Sequence, residues 1–440
     1  MLSLLLATGT FALAGSDATR ALLTDYYDGA GAWRSCNAVS CASSNADWGA
    51  DAATDTIYLR WSATHDPQLA AVADRLIGTS TRYPTPCAGA SCRYWSDTPA
   101  WDAVTSMREF EMTGDTRALV RARAAYHFVE GSSAFAAGAC PSIPYQQAPS
   151  PAGVKTLETL ANAIKAGLLL YRVDRDPREL ASAREQYASA RAYFLDATAA
   201  LYTVHVSDNG STCTPVASRY FASVNGLMIW NGAELANDLH DGEYLTEAIE
   251  TAHAVDTQLS DGSGVFADAA GENDVVEPLV EAMLRLAPTQ AFAAAWIERN
   301  AQAALGARAA DGSFARFFDG PPQQRSSIWE SNGGFAIEIA AAAIAPDRTV
   351  QPSQWSGDAV MISPASDLPA TIDVSGSAVA VVGAVGASCE QHHVHVYVDG
   401  VEINDHAGLW INPTMPEADP VLFAWKFDRP GQHTITLVTR

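Results

Sequence analysis

Apolar and polar residues alternate with a helical period over the first three quarters of the chain. On both sides of a turn at 173–177, apolar residues recur at steps of three and four, at Leu168 to Tyr171, Leu180, Ala183, Tyr187 and Tyr193. Such spacing places the apolar side chains on one face of each helix, which must be buried against a neighbour. The pattern predicts a mainly α domain over residues 17–346.

Short turns containing Asp, Gly or Pro divide this α region into helical hairpins. The turns lie at residues 63–67, 112–115, 173–177, 239–242 and 286–288. Their spacing is too irregular for a solenoid of equal repeats, but it suits hairpins joined by loops of variable length. Five hairpins and a last helix over 333–345 come close to the number that closes a ring. An open helical bundle remains as the alternative, because periodicity does not specify closure.

The hydrophobic period changes to two near the C-terminus. A segment rich in Pro and Ser at 347–369 predicts a linker. Alternating runs follow at 371–375, 378–382, 394–398, 421–427 and 433–439. Asp399-Gly400 and Pro430-Gly431 are hairpin-turn signals. We therefore predict a small antiparallel β-sandwich over residues 370–440.

The charge of the chain limits the class of its partner. The 440 residues carry a formal charge of −23 at pH 7, which excludes a nucleic acid or an anionic membrane surface, because phosphate binding depends on Lys and Arg. A neutral partner such as a glycan fits this charge. No apolar stretch after the N-terminus is long enough to span a membrane, and we expect a monomer.

The N-terminus and the cysteines point to export. Residues 1–16 form an apolar run that ends in Ala12-Leu13-Ala14, as at a signal-peptide cleavage site, and predict a secreted, cell-surface or periplasmic protein. No Lys or Arg precedes the run, so a buried N-terminal helix is the alternative. Two of the cysteine pairs, Cys36/Cys41 and Cys87/Cys92, share a Cys-x4-Cys spacing that suggests small disulfide loops.

One stretch, Cys92 to Asp115, combines aromatic side chains with a carboxylate at a helix start. Thr98 can cap a helix whose first residue is Pro99, so that Asp97 stands at the helix N-terminus. Asp97 is either a charge that favours the helix dipole or a functional carboxyl. Aromatic residues can stack on sugar rings or simply pack in the core; we predict sugar contacts for Trp48, Trp95 and Trp101.

Several patches of the first three quarters resemble family 76 glycoside hydrolases, the α-1,6-mannanase family, whose fold is an (α/α)6 barrel. They are Tyr26 to Trp33, Asp47 to Ala52, Tyr94 to Trp101 with Glu111 to Asp115, Tyr220 to Leu235 and Trp296 to Phe318. The C-terminal segments 396–400 and 431–436 resemble bacterial immunoglobulin-like modules. The resemblance implies an (α/α)6 barrel followed by an immunoglobulin-like sandwich, and adds Asn225 as a substrate contact.

The resemblance also implies a function, a secreted glycoside hydrolase acting on α-mannan or a related glycan with retention of configuration, without a metal or cofactor. A retaining mechanism needs a carboxylate nucleophile and a carboxyl that serves as acid and then base. The family has two adjacent aspartates, whereas this chain has Asp97 followed by Thr98. Asp97 then takes the nucleophile position, and Asp102, one helical turn further along, is the nearest candidate acid.

Two other functions remain open. A threonine cannot protonate a leaving glycoside oxygen, so the chain could have kept the barrel as a catalytically impaired glycan-binding protein. It could also be a transglycosidase that passes the sugar to an acceptor other than water.

Overall fold

Twelve helices occur in the computed structural model, which describes residues 14–38, 40–45, 47–82, 94–95, 97–131, 139–140, 147–148, 153–215, 220–267, 275–314, 317–322, 327–345, 352, 355–362, 369–383, 394–403 and 421–439. They are α1 (Ala14–Tyr26), α2 (Trp48–Thr64), α3 (Pro67–Thr79), α4 (Asp97–Thr113), α5 (Thr116–Gly131), α6 (Leu157–Asp174), α7 (Pro177–Phe194), α8 (Ala222–Leu239), α9 (Gly242–Gln258), α10 (Glu277–Leu286), α11 (Ala291–Gly306) and α12 (Ile328–Ile344).

The even-numbered helices form a closed inner ring. Each contacts the next even-numbered helix, and α12 contacts α2. The odd-numbered helices surround this ring. The ring closes because its helices are apolar and buried on every side. In α12, every residue from Ser331 to Ala342 is buried. The predicted (α/α)6 barrel is therefore confirmed, and the open bundle is wrong.

The predicted turns form as their residue types require. Three inner helices end at a residue in the left-handed conformation, namely His65, Arg175 and His240. An aspartate then caps the next outer helix by accepting a backbone amide hydrogen, as Asp66 does from Gln68 at the start of α3. This sequence of a left-handed residue and an aspartate cap reverses the chain within a few residues. Consecutive helices are thus antiparallel, and all inner helices begin at the same end of the barrel.

Short strands lie in the loops of the barrel and longer ones follow it. The loop strands are β1 (Trp33–Arg34), β2 (Ser43–Ser44), β3 (Tyr94–Trp95), β4 (Gln147–Ala148), β5 (Gly153–Thr156), β6 (Leu195–Asp196), β7 (Leu201–Tyr202), β8 (His205–Asp208) and β9 (Cys213–Pro215). The C-terminal strands are β10 (Asp358–Ile362), β11 (Ala370–Gly383), β12 (Val394–Val398), β13 (Val401–Glu402) and β14 (Val421–Thr439).

The five C-terminal strands form one sheet in the order β10-β11-β14-β12-β13. The Asp399-Gly400 turn is confirmed, since both residues have positive φ between β12 and β13. The Pro430-Gly431 turn is wrong: β14 continues through it, and Gly431 pairs with Gly376 beside a register shift at which β14 carries the extra residues, 427–430. The sheet is mixed rather than antiparallel because β10 pairs parallel to β11. β10 also lies inside the predicted linker.

The C-terminal sheet packs against the barrel at the end where the inner helices begin. The rings of Phe317 and Phe423 meet edge to face with centroids 6.3 Å apart. Lys426 forms a 2.6 Å ion pair with Asp319, and its carbonyl accepts the Gly262 amide hydrogen at 2.9 Å. Apolar and polar contacts together attach β14 to the loops that precede α10 and α12.

Two disulfides lie among the described residues. Cys36–Cys41 is the predicted small loop, and Cys140–Cys213 joins cysteines that the sequence left unassigned. Cys87, Cys92 and Cys389 lie outside the described residues, as do residues 1–13 of the predicted signal peptide. Within the described ranges, no helix is both long and apolar enough to cross a bilayer.

Two helical glycines test the close packing of the inner ring. A Cβ added at Gly226 of α8 would lie 2.3 Å from the Leu279 backbone nitrogen, whereas one added at Gly78 of α3 would meet nothing within 4 Å. We expect Gly226→Ala to destabilise the protein by about 1 to 3 kcal/mol or more, because overpacked backbones must separate. Gly78→Ala should stay within about 1 kcal/mol of the wild type, on the stabilising side. Urea denaturation of both variants measures the difference, and equal midpoints would contradict the close α8–α10 approach.

Candidate active site

Two carboxyl groups meet where neighbouring inner helices begin. Asp97 is the first residue of α4, and Glu158 is the second residue of α6. Burial, and after it the negative charge of Asp97, raises the pKa of Glu158, so the two carboxyls lie close enough to interact. The structure thus pairs Asp97 with a carboxyl that is 61 residues away in sequence.

Asp97 is nearly excluded from solvent, with 6% of its surface exposed. Its Oδ1 accepts the Thr98 amide hydrogen at 3.0 Å, so α4 begins at Asp97 itself and not at Pro99 as predicted. Burial raises the pKa of Asp97 to about 7, although backbone hydrogen bonds act in the opposite direction. Desolvation therefore outweighs the stabilisation that a helix N-terminus gives to a carboxylate.

Glu158 is the functional candidate that sequence reasoning missed. Its backbone amide donates to the Thr156 hydroxyl, which caps α6. Its Oε1 accepts a hydrogen bond from Trp101 Nε1 at 3.3 Å. Burial, followed by the charge of Asp97, raises the pKa of Glu158 to about 8, against the lowering effect of the Trp101 hydrogen bond. One sequence signal could have revealed Glu158. Thr156 caps a helix whose first turn carries this acid, and in a closed ring the inner helices start at the same end as Asp97.

A buried ion pair holds the strand that leads into Glu158. The Lys155 ammonium, on β5, lies 3.1 Å from the Asp208 carboxylate and donates to the Cys140 carbonyl at 2.5 Å. Asp208 also accepts the amide hydrogens of Ala139 and Cys140. The Cys140–Cys213 disulfide joins the same loop to β9. The position of Glu158 is therefore fixed by three connected segments.

Asp102 lies in a different environment from the one predicted. It is 3% exposed, and its Oδ1 is 3.9 Å from Arg82 Nε. Arg82 also pairs with Asp51 and with Glu109, each at 2.6 Å. The structure thus places Asp102 in an ion cluster that joins α2, α4 and the segment after α3. This assigns it a structural part beside the site.

The predicted substrate contacts divide into two groups. Trp48 and Trp329 lie at the barrel mouth with ring centroids 5.9 Å apart, and both are partly buried. Trp95 lies in β3 opposite Gln147, and its side chain is outside the described part of the chain. The sugar contacts of Trp48 and Trp95 therefore stay predictions.

Trp101 and Asn225 are buried and make their hydrogen bonds within the protein. Trp101 is 1% exposed, so its ring is closed to a sugar and its Nε1–H serves Glu158. Asn225 is fully buried, and its amide bonds the backbone of Tyr202 in both directions and the carbonyl of Phe221. The predicted sugar contacts of both residues are therefore replaced by structural ones.

A metal centre has no support in the described ranges, where no group of three or more His, Cys, Asp and Glu side chains has the arrangement to hold an ion. The carboxyl pair of Asp97 and Glu158 can instead perform proton transfer and nucleophilic attack.

Comparisons with known proteins give a clear structural result. No family profile and no curated protein sequence matches the chain. An inactive variant of an α-1,6-mannanase from Salegentibacter sp., with two consecutive aspartates replaced by alanine and α-1,6-mannotetrose bound, superposes with a TM-score of 0.64. It is 17% identical and covers 75% of this chain and 98% of its own.

Two further structures have the same architecture. A family 76 glycoside hydrolase (mannosidase) from Bacteroides thetaiotaomicron has a TM-score of 0.61 at 13% identity and covers 76% of this chain and 98% of its own. The unsaturated glucuronyl hydrolase of a Bacillus species has a TM-score of 0.53 at 13% identity and covers 76% and 96%. The chain has the barrel fold of the family 76 glycoside hydrolases.

Proposed function

We propose that this protein is a glycoside hydrolase that cleaves α-mannan or a related glycan, with Asp97 and Glu158 as its two catalytic carboxyls. The observation that carries the proposal is the pairing of these two acids at adjacent inner-helix N-termini, with both pKa values raised. Raised and coupled carboxyl pKa values are typical of sites that transfer protons. The fold shared with the mannanases supports α-mannan as the substrate class.

The resemblance to family 76 assigns the roles. Asp97 stands at the position of the family's first aspartate, and burial raises the pKa values of both Asp97 and Glu158, so that one of the pair can hold a proton near neutral pH. Asp97 is then the carboxylate that attacks the anomeric carbon while Glu158 protonates the leaving oxygen. In the second step the Glu158 carboxylate removes a proton from water, which releases the sugar from Asp97 with its configuration retained.

Glu158 resolves the difficulty posed by Thr98. The inactive Salegentibacter variant carries changes at two consecutive aspartates, whereas here a threonine follows Asp97. A carboxyl supplied by the neighbouring helix restores the pair without a second aspartate in α4. Trp101, one helical turn after Asp97 on α4, acts as a positioning residue, since its Nε1–H donates to the Glu158 carboxyl.

Variants of both acids test the roles directly. Glu158→Gln should lower kcat on α-1,6-mannan by about 10²- to 10⁴-fold, the usual contribution of a general acid. Asp97→Asn should reduce turnover at least as much, because no covalent intermediate can form. Glu185→Gln, on the exposed surface of α7, serves as the matched control and should retain wild-type activity. Release of reducing ends measures all three.

The same experiment separates the competing functions. Full activity of Glu158→Gln would overturn the assigned acid. Mannan binding by the wild type without reducing ends or transfer products would instead identify a glycan-binding protein. Longer products formed in the presence of an acceptor sugar would identify a transglycosidase.

The pH profile of kcat/KM should be bell-shaped with its maximum between about pH 7 and 8. The rate rises as Asp97 ionises near its pKa of about 7, and falls as Glu158 loses its proton near pH 8. Both limbs belong to the coupled pair. We expect Trp101→Phe to move the alkaline limb to higher pH, because the lost hydrogen bond favoured the Glu158 carboxylate. An unchanged alkaline limb in this variant would contradict the positioning role.

The buried Asp97 should lower stability at neutral and alkaline pH. Its folded-state pKa of about 7 exceeds the ordinary aspartate value of 3.8, so the folded protein loses stability as pH rises from about 4 to 7, and the loss is constant above 7. Asp97→Asn removes this loss and should raise the melting temperature by about 2 °C or more at pH 8, and by less at pH 4.5. Asp74→Asn, an exposed change on α3, should show no such gain. An equal gain at both pH values would contradict the buried charge.

A further inference from the structure

A cavity opens at the end of the barrel opposite the two carboxyls. Its volume is about 250 Å³, and residues of five inner helices line it, together with Pro288 after α10. Arg108 in its wall follows Asp97 by 11 residues of the same helix, which corresponds to about 16 Å along the axis. The cavity is therefore separate from the proposed catalytic site.

Cations surround one aromatic ring in the wall of this cavity. The guanidinium groups of Arg108, Arg172 and Arg285 lie 5.7, 5.3 and 5.7 Å from the ring centroid of Trp230. The Lys165 ammonium lies 5.2 Å from the same centroid. Four positive charges gathered around one indole repel each other, so anionic groups must balance them.

Carboxyl groups of the protein supply that balance. Glu281 pairs with Arg108 and Lys165, and Glu234 pairs with Arg172 and Arg285. Glu111 adds a third carboxylate, 3.0 Å from Arg108. Asp55 and Asp238 also interact with these cations, so the cluster has no excess of positive charge. A ligand would therefore be held by hydrogen-bond donors of the arginines and not by net charge.

Arg172 and Arg285 retain unused hydrogen-bond donors toward the cavity. Their side chains are 31% and 32% exposed, although both bind Glu234, which is 2% exposed. A guanidinium has five N–H donors, and the contacts with Glu234 engage only some of them. Leu59, Leu284 and Pro288 give the cavity an apolar side that suits the carbon skeleton of a ligand.

We propose that this cavity binds a small organic anion through a carboxylate or phosphate group held by Arg172 and Arg285. Planar guanidinium groups bind both kinds of oxyanion through paired hydrogen bonds. The volume admits a molecule of about monosaccharide size. A sugar acid or a phosphorylated metabolite would present the same oxyanion chemistry, and a neutral sugar would not.

Calorimetry on the full-length protein tests the proposal with inorganic phosphate, D-glucuronate and neutral D-glucose as probes. We expect at least one of the two anions to bind with a stoichiometry of one, and glucose to give no heat. Arg285→Gln and Arg172→Gln should each weaken binding by about tenfold or more, since each removes charge-assisted hydrogen bonds. Arg178→Gln, whose side chain is 89% exposed on α7, is the matched control and should bind as the wild type does.

Folding and location are checked in the same set of variants. Circular dichroism and melting curves establish whether Arg172→Gln and Arg285→Gln are folded. The two substitutions lie on different helices, so one folded variant is enough to decide the outcome. Asp97→Asn should bind the anion unchanged, since the carboxyl pair is at the other end of the barrel. Absence of binding by both anions, or equal affinity in the folded cavity variants and the wild type, would overturn the proposal.

Discussion

Buried cations shared between inner helices hold the barrel together. Arg82 joins Asp51 of α2 to Glu109 of α4, and Glu281 of α10 receives both Arg108 of α4 and Lys165 of α6. Loss of one partner from such a pair costs about 3 to 5 kcal/mol, because the remaining charge stays buried. Four of the six inner helices, α2, α4, α6 and α10, are therefore linked through buried charges, and α4 and α6 are the ones that carry Asp97 and Glu158.

The carboxyl pair shows how burial competes with favourable local dipoles. Both acids lie at helix N-termini, where the partial positive charge stabilises a carboxylate. Both nevertheless have raised pKa values, because desolvation outweighs the backbone hydrogen bonds at Asp97 and the Trp101 hydrogen bond at Glu158. The ring thus gives up stability at neutral pH at the two proposed catalytic carboxyls.

The barrel by itself does not select one chemistry. Mannanases and an unsaturated glucuronyl hydrolase have the same architecture as this chain at 13 to 17% identity. The side chains at the two ends of the ring must therefore carry the function. At one end the structure gathers two protonatable carboxyls, and at the other it gathers arginines around Trp230. The two ends share inner helices such as α4, yet they present different side-chain chemistry.

The sequence by itself determined the helical hairpins, their turns and the C-terminal change of period, because these depend on local periodicity and on residue type. Closure of the ring, the continuous strand through Pro430 and the second carboxyl depend on contacts between distant segments. Glu158 joins Asp97 only when α6 packs beside α4, and Asp102 pairs with Arg82 only when the segment after α3 folds inward. Sequence spacing places Asp102 nearer to Asp97 than Glu158, and the tertiary structure reverses that choice because adjacent helices align their starts.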